Sequence, residues 1–334
     1  MVRKLLLILL VLIIAIGGYY SYQFWLRGGG SDEVTVHIPE GSSFDRILDT
    51  LESSGVIDSR SAFRLLSIAT GSDGKIKPGT YKFQRGIAHA RLLEALVEGR
   101  STVKVRVTFP EGITVRRMAS IASQKIGLDS ARFVELAGDR EFLKKIGINA
   151  ATAEGYLMPD TYFLFYGEQA ETVLEKMSTL FREFYTDDLK SLAAAQKLTP
   201  YEVVTLASIV EGEARVNEER PTIAGLYLNR LRIGMELKAD PTIQYILPEG
   251  PRRLLYKDLE IKSPYNTYLN KGLPPTPINN PSRASITAVL HPESHDYLFM
   301  VARADGSGRH TFTKTGAEHE RAVQEYRRRL REGT

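Results

Sequence analysis

From Leu5 to Leu26 the chain carries no charged residue, and its apolar and aromatic side chains run on without the polar interruptions of an amphipathic element. At ~1.5 Å per residue such a run spans a hydrocarbon core of ~30 Å, which predicts one transmembrane helix over residues 5–26. Arg3 and Lys4 precede it, so residues 1–4 are expected in the cytoplasm and everything after Arg27 outside. Tyr19, Tyr20, Tyr22, Phe24 and Trp25 would then form an outer interfacial belt. A cleaved signal peptide is the competing reading, with Leu5 to Ile14 as its apolar region and Ala15-Ile16-Gly17 as a small-residue cleavage site. The apolar run continues past that site into a Gly28-Gly29-Gly30-Ser31 linker, within residues 27–33, and this favours the anchor. Either reading puts the body outside the cytoplasm.

Beyond the linker the pattern becomes that of a mixed α+β body. Val34 to Ile38 alternates as a strand, Pro39-Glu40-Gly41 turns, and Ser42 or Ser43 can cap a helix through Phe44, Ile47, Leu48 and Leu51. The same order returns from Val105: a strand, Phe109-Pro110-Glu111-Gly112, then a helix with Thr114, Arg117 and Met118. The repeat predicts two units, residues 34–103 and 104–334. In the first, helices around Ser61 to Thr70 and Ala88 to Glu98 flank a strand near Lys77 to Phe83; this small unit resembles a LysM-like carbohydrate-binding module, against which stands a plain spacer domain. In the second, helical periodicity from Thr114 to about Leu192 is interrupted at Glu154-Gly155-Tyr156-Leu157-Met158-Pro159-Asp160-Thr161-Tyr162. This polar, aromatic loop reads either as a sugar platform or as a turn in which Asp160 caps the next element.

The strongest helix signal is Thr199-Pro200-Tyr201-Glu202, a capping box with proline at the first helical position. Val203 to Val210 is apolar on nearly all sides, as in a buried helix, and Glu211 and Glu213 follow. Glu211 continues the stripe of Val204 and Ala207, where desolvation should raise its pKa and let it hold a proton for general acid catalysis. Glu213 lies one turn past Ile209 and Val210, so helix geometry alone does not rank the two. The alternative reading makes both of them helix-end residues, solvated or paired with Arg215 or Arg220. Further on come a helix from Pro221 through Asn229 to Gly234, a helix restarting at Asp240-Pro241 with Asp240 as N-cap and Gln244 inside it, and an irregular stretch with Tyr265-Asn266-Thr267-Tyr268. Such Asn-, Tyr- and Thr-rich segments suit an N-acetyl sugar. Glu154, Tyr156, Glu213, Asn229, Asp240, Gln244, Tyr265, Asn266, Thr267, Tyr268 and His310 are accordingly the candidate substrate-binding residues.

Composition then narrows the chemistry. The 334 residues contain no cysteine, which excludes disulfides and thiolate chemistry, and the net charge of +4 is scattered rather than gathered into a nucleic-acid stripe. His291 and His295 stand four apart, but Pro292 intervenes and no third ligand is evident, so no metal or other cofactor is expected. No Gly-x-Ser-x-Gly elbow is present. The basic run Arg327-Arg328-Arg329-Leu330-Arg331 reads as the solvated face of a last helix.

The segments Glu154 to Leu157, Pro159 to Tyr162, Leu206 to Glu211, Asn229-Arg230-Leu231, Gly234-Met235, Asp240-Pro241-Thr242, Tyr265 to Tyr268, Gly272-Leu273-Pro274-Pro275, His291-Pro292 and His310-Thr311-Phe312 occur in one order. In them the chain resembles the YceG-like (MltG) family of endolytic murein transglycosylases. The resemblance implies that Glu211 is catalytic, that the N-terminal unit is LysM-like, and that the protein sits in the bacterial cytoplasmic (inner) membrane as a single-pass lyase. It also implies peptidoglycan glycan strands as substrate, with penicillin-binding proteins close by. One carboxyl then suffices, acting as acid on the MurNAc-GlcNAc bond and as base on the C6 hydroxyl to leave a 1,6-anhydro end. Two alternatives stay open: a non-catalytic peptidoglycan-binding scaffold, and a muramidase with Glu154 or Asp160 as second acid.

Overall fold

The computed structural model describes residues 2–26, 32–99, 104–248 and 250–332. The chain divides into two compact units, one of Met1–Val107 with Ala122–Leu128 and Tyr162–Gln169, the other of Thr108–Ile121, Asp129–Thr161 and Ala170–Thr334. The boundary expected near residue 103 and the Gly28 to Ser31 linker lie outside the described residues.

The first unit opens with helix α1 (Val2–Ser21), which passes into a π-helical turn at Tyr22–Leu26. Among the described residues no helix is long and apolar enough to cross a membrane. The predicted span begins before Leu10, among side chains outside that set. Tyr19, Tyr22 and Trp25 are exposed, whereas Phe24, predicted to join them in an aromatic belt, packs against the core of the unit. That core is built by strand β1 (Glu33–Ile38), helices α2 (Phe44–Ser53) and α3 (Arg60–Ala69), strand β2 (Gly79–Gln84) and helix α4 (His89–Glu98). The strands pair antiparallel, so that Val34 faces Phe83 and Val36 faces Tyr81. Because strand side chains alternate, this register turns Val36, Ile38, Tyr81 and Phe83 onto Leu48, Leu51, Phe63, Leu92 and Leu96. Ser43, one of the two predicted caps, accepts the Arg46 N–H and starts α2.

Strand β3 (Lys104–Thr108) leads through the second Pro-Glu-Gly turn into α5 (Val115–Ile126). Gly41 and Gly112 both adopt φ +72°, so the two turns share the left-handed residue their sequences share. Short helices α6 (Ser130–Leu136) and α7 (Arg140–Lys145) precede strand β4 (Thr161–Phe165), which pairs with β3. The element that follows the interrupting loop is this strand, and Asp160 accepts the N–H of its first residue, Thr161, at 2.7 Å. Next come α8 (Ala170–Phe184), α9 (Asp187–Ala195), α10 (Pro200–Glu213), α11 (Arg220–Arg232), α12 (Asp240–Ile246) and α13 (Arg283–Leu290), then a hairpin of β5 (Phe299–Ala302) and β6 (His310–Thr313), and last α14 (Gly316–Glu332).

Helix α10 is the centre of the second unit. Val203 to Val210 are all buried, with α9, α11, α12 and α13 packed around it. Its start is the predicted capping box, with Thr199 accepting the Glu202 N–H at 3.2 Å and Glu202 accepting the Thr199 N–H at 2.8 Å. Its far end carries both candidate glutamates.

Candidate active site

The end of α10 opens on a cleft of about 1120 Å³ contained within the second unit. Six of the predicted site residues line it: Glu154, Glu213, Asp240, Gln244, Tyr265 and His310. Two of the loops that line it, at residues 112–114 and at Glu154, are joined by Asn280, which the sequence did not single out. This fully buried side chain accepts the N–H groups of Gly155 and Leu157 at 2.9 and 3.2 Å, and donates to the Ile113 carbonyl at 3.0 Å and to Glu154 at 2.9 Å. Two loops distant in sequence are thereby tied to the segment before α13. The closeness of these loops demands glycine at two points. A Cβ on Gly155, whose φ is +89°, would stand 2.6 Å from Val204 on α10, and one on Gly212 would stand 2.6 Å from Pro241 on α12.

The two glutamates of α10 occupy different surroundings. The side chain of Glu211 is 6% exposed and does not line the cleft; it lies under Gly112, where an added Cβ would meet it at 3.2 Å. Its carboxylate accepts the backbone N–H and hydroxyl of Ser282 at 2.9 and 2.5 Å and the hydroxyl of Ser285 at 2.8 Å, and it pairs with the buried Arg220 at 3.1 Å. Burial pushes its pKa up, but the hydrogen bonds from Ser282 and Ser285 and the charge of Arg220 outweigh it, and the net shift is below the ordinary glutamate value. The raised pKa expected from its apolar stripe is therefore corrected. Its neighbours along α10 are apolar, but its partners across the fold are polar donors.

Glu213 reaches the cleft and behaves as the stripe argument required. Desolvation pushes its carboxyl up to about 7, against a lowering hydrogen bond from Tyr227, whose hydroxyl donates at 2.7 Å. Asp240 adds to the rise and Arg230 opposes it. Glu154 is also kept near neutrality: burial pushes it up to about 8, although the Val115 N–H and the Asn280 amide both donate to it. It thereby caps the start of α5.

Asp240 is the first residue of α12 and not its N-cap, a position taken by Ala239; no side chain caps this helix. Its carboxylate instead accepts the Tyr268 hydroxyl at 2.5 Å. Gln244 exchanges hydrogen bonds with the backbone of Arg252. Tyr265 bonds to Thr276 at 2.8 Å, and its ring leans on Tyr245 with centroids 5.0 Å apart, a second aromatic lining the cleft. His310, which also lines the cleft, meets Glu219 at 2.8 Å.

The remaining predicted residues hold the scaffold and do not line the cleft. Tyr156 is buried edge-on against Phe181. Asn229 donates to the carbonyls of His295 and Tyr297. Asn266 donates to those of Leu259 and Ile261, Thr267 accepts the Ala239 N–H, and Tyr268 acts through Asp240. Sequence placed them near a site because they sit beside it in the chain. Only the fold separates a residue that faces the cleft from one that supports the loop. Among the described residues no group of three or more histidine, aspartate or glutamate side chains is arranged to hold a metal ion.

The model of the YceG-like family matches residues 36–325. A Bacillus subtilis protein named endolytic murein transglycosylase is 33% identical over 308 residues, covering 88% of this chain and 84% of that one. A protein of the same name from Streptococcus pneumoniae is 29% identical over 353 residues; the match covers 94% of this chain but 63% of the longer relative. The crystal structure of a YceG-like protein from Listeria monocytogenes superposes with a TM-score of 0.59 at 32% identity, covering 87% of this chain and 99% of that one.

Proposed function

Taking as premise that the chain belongs to the YceG-like family, we propose that it is an endolytic murein transglycosylase whose general acid is Glu213. The observation that carries the choice of residue is the cleft carboxyl that keeps a proton near neutral pH, pushed up to about 7 by burial. Protonated Glu213 donates to the glycosidic oxygen between MurNAc and GlcNAc as the C1–O bond breaks and oxocarbenium character develops at C1. The resulting carboxylate takes the proton of the C6 hydroxyl, whose oxygen closes on C1 to give the 1,6-anhydro end. The acid returns to its starting form and no water is consumed. Glu211, ionised and held by Ser282, Ser285 and Arg220, acts as a positioning residue that joins the end of α10 to the start of α13.

A single-pass anchor over Leu5 to Leu26, with the body outside the cytoplasmic membrane, is supported by the charge-free run and by Arg3 and Lys4. The strand-helix-helix-strand order of β1, α2, α3 and β2 supports a LysM-like, glycan-holding role for the first unit. Nascent strands beside penicillin-binding proteins are the setting such an anchored enzyme suits.

The test is mass spectrometry of the products from purified glycan strands. Wild type should release anhydro ends, Glu213→Gln should lose ~10²–10⁴-fold in rate, and Glu211→Gln should keep measurable cleavage if it remains folded by thermal melting. The reverse order, with Glu213→Gln active and a folded Glu211→Gln inert, returns the acid to Glu211. Reducing ends from the wild type would instead favour a muramidase with Glu154 as its second carboxyl, and no products a binding scaffold.

A further inference from the structure

The cleft is larger and more basic than glycosidic bond cleavage by one carboxyl requires. Its volume of about 1120 Å³ exceeds the ~300–1,000 Å³ common for small-molecule pockets. Three arginines from three separate segments reach it: Arg116 in the first turn of α5, Arg215 just past α10, and Arg303 at the β5–β6 hairpin. All three are exposed. Among the described residues the guanidinium groups of Arg116 and Arg215 meet no carboxylate, and that of Arg303 donates through Nε to the His310 carbonyl at 3.1 Å.

Helix stability does not account for Arg116, since a cation in the first turn opposes the helix dipole. Nor does the acidic lining cancel the three charges. Glu154 and Glu213 are both held toward their neutral forms, which leaves the Asp240 carboxylate, hydrogen-bonded by Tyr268, as a single negative charge in the lining against three arginines. Planar guanidinium groups that meet no protein carboxylate beside a ligand cleft are suited to carboxylates carried by the ligand. The sugar units of an amidated murein strand are uncharged, and the carboxylates of that polymer lie on the peptides that branch from its lactyl groups.

We infer that Arg116, Arg215 and Arg303 form a subsite for the carboxylate-bearing peptide branches of the strand, so that the cleft prefers peptide-bearing glycan to glycan stripped of peptides. This rests on the transglycosylase reading above. The full chain in detergent, wild type and Arg116→Gln/Arg215→Gln, is given peptide-bearing strands and amidase-stripped strands, and both cleavage kinetics and co-sedimentation are measured. The double variant should raise KM and weaken sedimentation about tenfold on peptide-bearing strands, a change equivalent to about 1.4 kcal/mol, with kcat unchanged and stripped strands unaffected. Added salt should erode the wild-type preference in the same way. An equal change on stripped strands, whose lactyl carboxylates sit on the sugar itself, or no change on either, overturns the subsite. If the wild type cleaves neither strand the reaction reading fails, while the sedimentation arm still decides the subsite.

Discussion

Three glutamates within one site carry three different acidities, although each is buried or partly buried. Glu211 has charged and neutral donors on its carboxylate and stays ionised; Glu213 has one tyrosine and is pushed up to about 7; Glu154 has an amide and a backbone N–H and is pushed up to about 8. Burial sets the direction only where donors are few. A consequence for stability follows from Glu154, whose folded pKa lies above its ordinary value. The folded state holds the proton more tightly than the unfolded chain, so the stabilising linkage is full below the ordinary glutamate range and is lost as pH rises toward about 8. Glu154→Gln keeps an acceptor for Val115 and Asn280 and removes the ionisation. Denaturant unfolding at about pH 5 and about pH 8.5 should show the wild type losing stability, on the order of a few kcal/mol, and the variant losing clearly less. Equal losses in the two proteins would refute the buried proton.

Helix α10 shows how an element can be legible while its function is not. Its start is written in four consecutive residues, because a capping box is closed by side chains of the same turn, and its burial is written in the unbroken apolar run from Val203 to Val210. Removing the cap by Thr199→Ala should cost about 1 kcal/mol, a fall of roughly 2–4 °C in Tm for a unit of this size. Cleavage below the melting range should be unchanged, because Thr199 and Glu213 stand at opposite ends of the helix. A loss of cleavage by folded protein would mean that the cap positions the acid. The end of α10 was not legible in this way. Gly212 admits Pro241 at a distance no side chain permits, and this approach brings Asp240 beside Glu213. Asp240 itself looked like an N-cap because it precedes a proline and an apolar turn, yet its carboxylate is drawn to Tyr268 from another loop.

At the scale of the whole molecule, the two units carry different features. The first carries the apolar N-terminal segment and a core of its own, and the second carries the cleft. The proposed anchor predicts that the full chain sediments with cell membranes and resists extraction by high salt, whereas a chain beginning at residue 32 remains in the soluble fraction and still yields anhydro products from isolated strands. Release of the full chain by salt alone would replace the anchor with surface adsorption. The repeated strand-turn-helix was legible because both Pro-Glu-Gly turns need a glycine at positive φ, and Gly41 and Gly112 both supply it.

By itself the sequence determined the kinds of element, the caps of α2 and α10, the repeated turn, the family, and the small group of carboxyls among which the acid must be found. These features are set by residues close together in the chain, whose periodicity and local hydrogen bonds need no fold to be read. Tertiary structure alone decided which carboxyl reaches the cleft and which is ionised beneath it. Arg220, Ser282 and Ser285 converge on Glu211 from separate segments, and Asn280 joins the loops at Ile113 and Glu154 beside the cleft. Acidity depends on what surrounds a group in space, and those surroundings come from chain segments that only folding brings together.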